Sequence, residues 1–404
     1  MAFKRIVCLL AGGVMLFAST SAWSADVHGR SSTQFLWFNN YFTERKQAEL
    51  AEYLNLSITN IDKDGKLSFQ GYGRVTQDVR NGESINGRLY YMYGEYRGLY
   101  DRLDIRLGRQ FVNYAAGTAL IDGGQIDISN IGPIAFSVMG GRNVVFSLDG
   151  ESGHEGDYAY GVATYLKGVK NTDLEVSWFR KLDQGDVARD ILGGSFRQFL
   201  FSNIKLYANA RYDLTSEVFN EVLAGVKYFP TANLILTGEW YQSYPTFDTT
   251  SIYSVFAVNR YQEGVLRADY TINDVIAVNG GYSIQDYGEG ADANVYEVGV
   301  RIKPVHPVTL LLNYDQRHGY GGDLNGGTAE IIFEPTKKIE LAGGIQYDVI
   351  KRDSMTGEDY ARKYWLGGKY KITDKMSAAI RIEDDVNLSF KEDWQGRVVF
   401  NYDF

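Results

Sequence analysis

Histidines and paired carboxylates are the residues of this chain with the chemistry needed for acid–base catalysis. The four histidines are His28, His154, His306 and His318, and the acidic pair Asp384-Asp385 stands at the edge of a polar segment. A triad or dyad needs a histidine close to both a nucleophile and an orienting carboxylate. Neither His306 nor His318 has a serine placed for a triad, and the acidic pair lacks a matching His-Asp element. We therefore expect no catalytic residues and no enzyme.

Sulfur and metal chemistry have little support in the sequence. The single cysteine, Cys8, lies inside the apolar N-terminal run, so we expect it to be lost with that run. Without cysteine, a chain has no disulfide framework, no thiolate metal site and no Cys-x-x-Cys-His haem attachment. Residues 62–65 (Asp-Lys-Asp-Gly) look briefly like a calcium loop, but the downstream glutamate is missing and a hairpin turn explains them. We expect no cofactor and no metal held by this chain.

The N-terminal residues have the pattern of an export signal. Lys4 and Arg5 precede an apolar run over residues 6–18, and Ala22 and Ser24 are the small residues that a signal peptidase requires. The pattern predicts cleavage after Ser24, with a signal at residues 1–24 and the folded protein at 25–404. Because the chain is exported and acidic, with a formal net charge of −9, we expect no nucleic-acid partner.

Period-two alternation is the structural pattern that recurs after the signal. No apolar stretch is long enough for a spanning helix, whereas many segments of about ten residues have one apolar and one polar face. In one of them, Ile204, Leu206, Ala208, Ala210 and Tyr212 alternate with Lys205, Tyr207, Asn209, Arg211 and Asp213. The 30 tyrosines suit the aromatic girdles of a transmembrane barrel, since their rings have an apolar body and a polar tip. A secreted sandwich is the alternative, although only a closed barrel satisfies strand backbones in lipid.

Short and long connections alternate along the chain, which predicts short periplasmic turns and moderately short extracellular loops. Counting back from Phe404 gives about twenty-two strands. In residues 131–149, Gly140 and Gly141 either join two strands or let the segment fold inward, and about twenty strands is then the lower count. The sequence therefore predicts an all-β protein, a single closed antiparallel transmembrane β-barrel with an even strand number.

The last nine residues have apolar or aromatic side chains at every second position. Val398, Phe400, Tyr402 and Phe404 form this series. The pattern resembles the C-terminal signal that the barrel-assembly machinery recognises in outer-membrane proteins. The resemblance implies a multi-pass barrel in the Gram-negative outer membrane, with that machinery and outer-membrane lipid as partners.

A second resemblance lies in residues 103–110, Leu-Asp-Ile-Arg-Leu-Gly-Arg-Gln. This strand is similar to a Leu-x-x-Gly-Arg-Gln strand of several outer-membrane porin groups, including alginate-export-like barrels. Simple alternation would place Arg109 on the apolar face, unless it lies at an interface or follows a bulge at Gly108. Two interpretations stay open for Arg109: an arginine at a pore constriction, or a salt bridge at the rim.

The polar faces of the predicted strands carry both signs of charge, which suits a water-filled lumen. Mutual ion pairing explains most of these charges, and rows of opposite charge at a constriction could also set ion selectivity. The residues that we predict to line the pore are Arg106, Lys205, Arg211, Glu239, Arg267, Asp269, Glu297, Arg301, Asp315, Arg381, Glu383 and Arg397.

Three functions are compatible with such a barrel. The first hypothesis is an outer-membrane porin for small hydrophilic solutes or ions, which should carry a loop folded into the lumen, with residues 113–130 as the candidate. The second is a sheath, because a wide barrel with short loops resembles the porin component of porin–cytochrome conduits, and this resemblance implies multihaem c-type cytochromes as partners for extracellular electron transfer. A sheath should have an unobstructed lumen. The third is an outer-membrane hydrolase. We expect a monomer, since a wide barrel closes without neighbours.

Overall fold

The computed structural model describes residues 25–41, 43–82, 84–147, 150–151, 153–251, 259–352, 357–387 and 391–404. The expected signal at residues 1–24 lies outside the described residues. Within the described part of the chain, no helix is long and apolar enough to cross a membrane.

Twenty-four strands make up the described secondary structure, and they follow one another in chain order. The strands are β1 Asp26–Asn40, β2 Arg45–Thr59, β3 Leu67–Asp78, β4 Asn86–Leu99, β5 Leu103–Tyr114, β6 Gly117–Ile131, β7 Ile134–Asn143, β8 Phe146–Ser147, β9 Gly150–Glu151, β10 Tyr158–Val169, β11 Thr172–Asp183, β12 Asp186–Leu200, β13 Ile204–Asp213, β14 Val218–Thr231, β15 Leu234–Ser243, β16 Tyr261–Thr271, β17 Ile276–Asp286, β18 Asp292–Ile302, β19 Val308–Gly319, β20 Asp323–Thr336, β21 Ile339–Lys351, β22 Asp359–Lys371, β23 Met376–Val386 and β24 Asp393–Asp403.

Twenty-two of these strands form one closed antiparallel barrel. Each wall strand pairs with its neighbours in sequence, β7 pairs with β10, and β1 pairs with β24 to close the sheet. The short strands β8 and β9 pair only with each other. The prediction of an all-β closed barrel with an even strand number is confirmed. β7 runs through Gly140 and Gly141 without a break, so these glycines do not join two strands.

The outer surface of the barrel is apolar, as strands that face lipid require. Alternation places residues such as Leu266, Val298 and Leu366 on this surface, where they are 66%, 54% and 68% exposed. Every wall strand has two hydrogen-bonded neighbours, so the sheet has no free edge for lipid to meet. A barrel with this surface and this closure is suited to a membrane.

Connections at the two ends of the barrel differ in length. At the end that holds both chain termini, several turns have two central residues with positive φ, such as Lys170 (51°) and Asn171 (60°). This conformation belongs to the tight type I′ turn, whose twist matches that of the flanking strands. The long connections, such as those from β7 to β10 and from β15 to β16, join strands at the other end. This asymmetry is the one that the sequence predicts.

The barrel closes where the first and last strands meet. The Gly29 N–H donates to the Phe404 carbonyl at 3.2 Å, and the Phe404 N–H donates to the Gly29 carbonyl at 3.1 Å. The Arg30 Nε donates to Asp403 Oδ1 at 2.6 Å on the same seam. Val398, Phe400 and Tyr402 lie on the outer face and are 37%, 36% and 39% exposed. The C-terminal series therefore faces outward, as alternation predicts.

Candidate functional site

A barrel of twenty-two strands is too wide for wall side chains alone to fill. In this protein, the last residues of β5 and the first residues of β6 turn inward and lie on the inner surface of the wall. We call residues 109–122 the inner hairpin. One face of it joins wall residues in an apolar cluster that consists of Val112, Tyr114, Ala116, Ala119, Ile121, Met139, Ala159, Ala163, Phe179 and Ile191.

Three glycines allow the sheet to fold where the inner hairpin begins. Gly108 has a φ of 127°, a conformation that other residues rarely adopt. A Cβ on Gly123 would lie 2.2 Å from the Gly140 carbonyl oxygen, and one on Gly141 would lie 2.6 Å from the Asp122 carbonyl oxygen. The sheet is therefore creased at these glycines, with backbones closer than any side chain permits.

Polar side chains of the wall satisfy the backbone of the hairpin tip. The Ala115 N–H donates to Glu175 Oε1 at 2.5 Å, and the Arg211 Nε donates to the Ala115 carbonyl at 2.8 Å. The Ala116 N–H donates to Ser177 Oγ at 2.9 Å. Because buried backbone groups must be paired, these contacts fix the tip against β11 and β13. Of these three wall residues, Arg211 is one of the predicted pore-lining residues.

The other face of the inner hairpin points away from the wall that it covers. Phe111 is 58% exposed on this face, whereas Val112, which points to the wall, is 2% exposed. Because the wall side is closed by packing, the exposed face borders the open part of the lumen. The inner hairpin therefore narrows the lumen from one side.

Arg109 forms a clamp at the root of the inner hairpin. Its Nε donates to Asp122 Oδ1 and one terminal nitrogen donates to Asp122 Oδ2, both at 2.7 Å. The guanidinium also pairs with Glu151 of β9 and donates to the Leu89 carbonyl at 3.2 Å. These partners leave the Arg109 side chain 11% exposed. The salt bridge that one interpretation gave Arg109 is therefore present, and it lies where the hairpin leaves the wall.

The β8–β9 hairpin lies between this clamp and β4. Toward the end of the barrel with the long connections, Met92 and Arg109 are the last residues that pair between β4 and β5. Beyond that point, Arg88 of β4 donates to the Ser147 carbonyl at 2.9 Å and stacks over the Phe146 ring at 4.7 Å. The β8–β9 hairpin thus takes the place beside β4 that β5 leaves when it folds inward.

The loop between β15 and β16 also contacts the inner wall at the extracellular end. Asp248 of this loop accepts hydrogen bonds from Lys181, at 2.6 Å, and from Arg189. Burial alone would raise the pKa of the Asp248 carboxyl, but the hydrogen bonds from Lys181 and Arg189 outweigh burial and hold it below its usual value. Asp248 is therefore ionised at neutral pH and fastens the loop to β11 and β12.

Alternation places all of the predicted pore-lining residues on the face opposite the apolar surface. Several have a charged partner there: Arg106 lies 3.0 Å from Glu95, Arg211 lies 2.9 Å from Glu221, and Arg267 lies 3.7 Å from Glu297. These pairs follow the inner wall and do not converge on one centre. Contact of these residues with a solute stays a prediction.

The acidic pair Asp384 and Asp385, which was considered for catalysis, lies at contacts between neighbouring wall strands. Asp385 accepts hydrogen bonds from Lys363 at 3.4 Å and from Gln395 at 2.9 Å. Asp384 accepts from the backbone N–H of Asp393 at 3.1 Å. These contacts join β22, β23 and β24, which is the role of wall residues.

One group of possible metal ligands occurs among the described residues. His154, Asp157 and Asp183 have ligand atoms within 4.8 Å of one another. The Asp157 carboxylate already accepts the backbone N–H groups of His154 at 2.6 Å and of Gln184 at 2.9 Å. Asp157 therefore ties the connection after β9 to the turn between β11 and β12.

Comparison with known proteins gives matches among solved structures alone. No family model matches the chain. No curated protein matches it. The chain is similar to OccAB1 of Acinetobacter baumannii, with 10% identity, a TM-score of 0.45 and coverage of 96% of this chain and 99% of that chain. It is also similar to OpdQ of Pseudomonas aeruginosa, with 11% identity, a TM-score of 0.47 and coverage of 94% of this chain and 99% of that chain. A BenF-like porin of Pseudomonas fluorescens is similar to it with 9% identity, a TM-score of 0.49 and coverage of 94% of this chain and 98% of that chain. The fold itself is established by the strand pairing described above.

Proposed function

We propose that this protein is an outer-membrane porin that lets small hydrophilic solutes or ions pass through a water-filled lumen narrowed by the inner hairpin. The observation that supports this function is the inner hairpin itself, which lies inside a barrel too wide to be closed by side chains. The polar inner wall, with charges of both signs, keeps the remaining space hydrated.

The inner hairpin also separates this proposal from the sheath hypothesis. A sheath for a multihaem cytochrome needs a lumen free of its own chain, whereas residues 109–122 occupy part of the lumen and are fixed to β11 and β13. We therefore retain the porin and do not propose the sheath. We propose no hydrolase either, because the acidic pair Asp384 and Asp385 serves as wall contacts.

Single-channel conductance in a planar bilayer tests the role of the inner hairpin. The first variant combines Glu175→Ala with Arg211→Ala, which removes the side chains that hold Ala115. Loss of these hydrogen bonds should weaken hairpin docking by about 2 kcal/mol, so we expect larger and more variable conductance than in the unmodified barrel. The control combines Glu297→Ala with Arg267→Ala, which removes an ion pair of the same charges from the wall. The control should keep a stable conductance.

A second variant removes the restriction without changing wall charges. A two-residue Asn-Gly turn replaces residues 110–121 and joins Arg109 to Asp122, which face each other in the strand pairing. The proposal predicts a larger stable conductance and faster uptake of hydrophilic solutes by liposomes. Equal conductance of the shortened and unmodified barrels would overturn the proposal, as would an unmodified barrel that does not conduct.

A further inference from the structure

The inner wall carries two arginines side by side next to the β8–β9 hairpin. Arg74 of β3 and Arg88 of β4 lie directly opposite each other in the strand pairing. Alternation, followed from the outward Phe400 across β1 and β2 to β3, places both on the inner face. We call Arg74 and Arg88 the arginine pair. Like charges that face each other across two strands are destabilising, so this contact needs a compensating charge.

No described carboxylate neutralises the arginine pair. In the part of the chain that the structure describes, neither Arg74 nor Arg88 forms an ion pair with an acidic residue. Glu49 acts on Arg74 through its charge but lies beyond ion-pair distance, and the Arg74 Nε has no hydrogen-bond partner among these residues. By contrast, Arg211 of the inner wall has Glu221 at 2.9 Å. The described wall therefore leaves the double positive charge of the arginine pair uncompensated.

Uncharged groups hold both guanidinium groups in place. Arg88 stacks over the Phe146 ring at 4.7 Å and donates to the Ser147 carbonyl at 2.9 Å. Arg74 donates to the hydroxyl of Tyr53, which lies opposite it on β2. A guanidinium has five N–H donors, so these contacts leave donors of both arginines available. Both side chains are also partly exposed, so a solute in the lumen can reach them.

We propose that the arginine pair is a lumen site for a doubly charged tetrahedral oxyanion, either inorganic phosphate or the phosphate group of a small monoester. This inference rests on the proposed function, because it names a class of solute that the porin would bind. Two adjacent guanidinium groups supply two positive charges and two planar forks of donors. A phosphate dianion balances both charges and offers oxygens to both forks. A carboxylate has a single charge, so it would leave one arginine uncompensated.

The arginine pair lies beside the narrowed part of the lumen. Arg109, at the root of the inner hairpin, donates to the carbonyl of Leu89, the residue that follows Arg88. An anion bound by the arginine pair is therefore close to the point where the inner hairpin leaves the wall. Because the ring, the carbonyl and the hydroxyl already position both guanidinium groups, binding requires little further ordering of side chains. Passage also requires that the anion can leave again, so we expect modest affinity.

Calorimetric titration of the barrel refolded in detergent tests the site, with inorganic phosphate at low ionic strength and at a pH above its second pKa. We expect phosphate to bind at least about tenfold more tightly than acetate, and Arg74→Gln with Arg88→Gln to lower the phosphate affinity at least about tenfold. The control is Lys205→Gln with Lys227→Gln, another pair of like charges that face each other on the inner wall but have no planar fork. It should leave the phosphate affinity unchanged. Glycerol phosphate, titrated in the same way, shows whether a monoester also binds.

A second variant, Arg74→Lys with Arg88→Lys, keeps both charges and removes the planar forks. It should also lower the phosphate affinity, and it decides the question if the glutamine variant lacks the heat-dependent gel mobility of a folded barrel. Unchanged phosphate affinity in the arginine variants, an equal loss in the control, or equal affinities for phosphate and acetate would show that the arginine pair is not a phosphate site. Calorimetry does not require the barrel to conduct, so failure of this site and failure of the porin proposal give different results.

Discussion

Arg109 shows what alternation alone can and cannot tell about a single residue. The sequence placed it on the apolar face and left two interpretations open, a constriction or a rim pair. The structure shows why alternation misplaces this residue, because the chain folds inward at Gly108 and brings Arg109 to Asp122 and Glu151. A bulge at Gly108 could be predicted from the sequence. The partner Glu151 could not, because its position depends on where the β8–β9 hairpin lies.

Asp248 provides a pH prediction at the residue scale. Its carboxyl has a lower pKa in the folded protein than its usual 3.8, because Lys181 and Arg189 favour the ionised form against the effect of burial. A depressed pKa means that the stabilisation is present above the usual value and is lost as the pH falls through the folded value. We expect the β15–β16 loop to stay attached above pH 3.8 and to detach as the pH falls below that value through the lower pKa of the folded state.

Conductance measured from pH 7 to pH 3 checks this expectation. Asp248→Asn should show at pH 7 the open-channel noise that the unmodified barrel shows only in acid, because it lacks the charge that Lys181 and Arg189 bind. Asp374→Asn is the control, since Asp374 is 99% exposed in a turn at the opposite end of the barrel. If Asp248→Asn and Asp374→Asn behave alike at every pH, the loop attachment has no role in the channel.

At the scale of elements, most wall strands could be predicted because their pattern has period two and their polar faces are charged. The inner hairpin could not be assigned in the same way. Val112 and Tyr114 alternate with Phe111 and Asn113 as in any wall strand, and the inward fold depends on the nonlocal packing partners Phe179 and Ile191. The candidate segment at residues 113–130 overlaps the hairpin, but it begins four residues too late and continues eight residues too far, into the part of β6 that pairs with β7 in the wall.

The glycine crease predicts how the inner hairpin responds to a single methyl group. Gly123→Ala would place a Cβ 2.2 Å from the Gly140 carbonyl oxygen, a distance at which backbone must move. We expect a cost of about 1–3 kcal/mol and a hairpin that no longer lies flat on the wall. Gly124→Ala is the adjacent control, because its Cβ would meet the flexible Leu107 side chain at 3.0 Å.

Limited proteolysis and conductance together measure the effect of these substitutions. Gly123→Ala should expose residues 111–118 to a protease added from the extracellular side and should raise the conductance, whereas Gly124→Ala should do neither. Protection of the hairpin in both variants would show that the crease is not what positions it.

At the scale of the whole molecule, the closed barrel could be predicted from the sequence, because strands in lipid must have all of their backbone groups paired. Closure then requires that the first and last strands pair with each other, which forms the seam. The predicted partnership with the barrel-assembly machinery is different in kind. It rests on the outward series that ends at Phe404, and a wall strand in this position would have the same alternation for packing reasons alone. The structure therefore accounts for the outward position of the C-terminal series, whereas recognition by the barrel-assembly machinery stays a prediction.

Deletion of Phe404 separates the two roles of this residue. It removes two backbone hydrogen bonds with Gly29, so the seam should lose about 1–3 kcal/mol, which urea titration of the barrel refolded in detergent would measure. Arg30→Gln with Asp403→Asn weakens the same seam while leaving the C-terminal aromatic series intact. If Phe404 is an assembly signal, its deletion should reduce the folded barrel in the outer membrane far more than the seam variant does at equal loss of stability. Equal reductions in cells would mean that Phe404 serves the seam and not recognition.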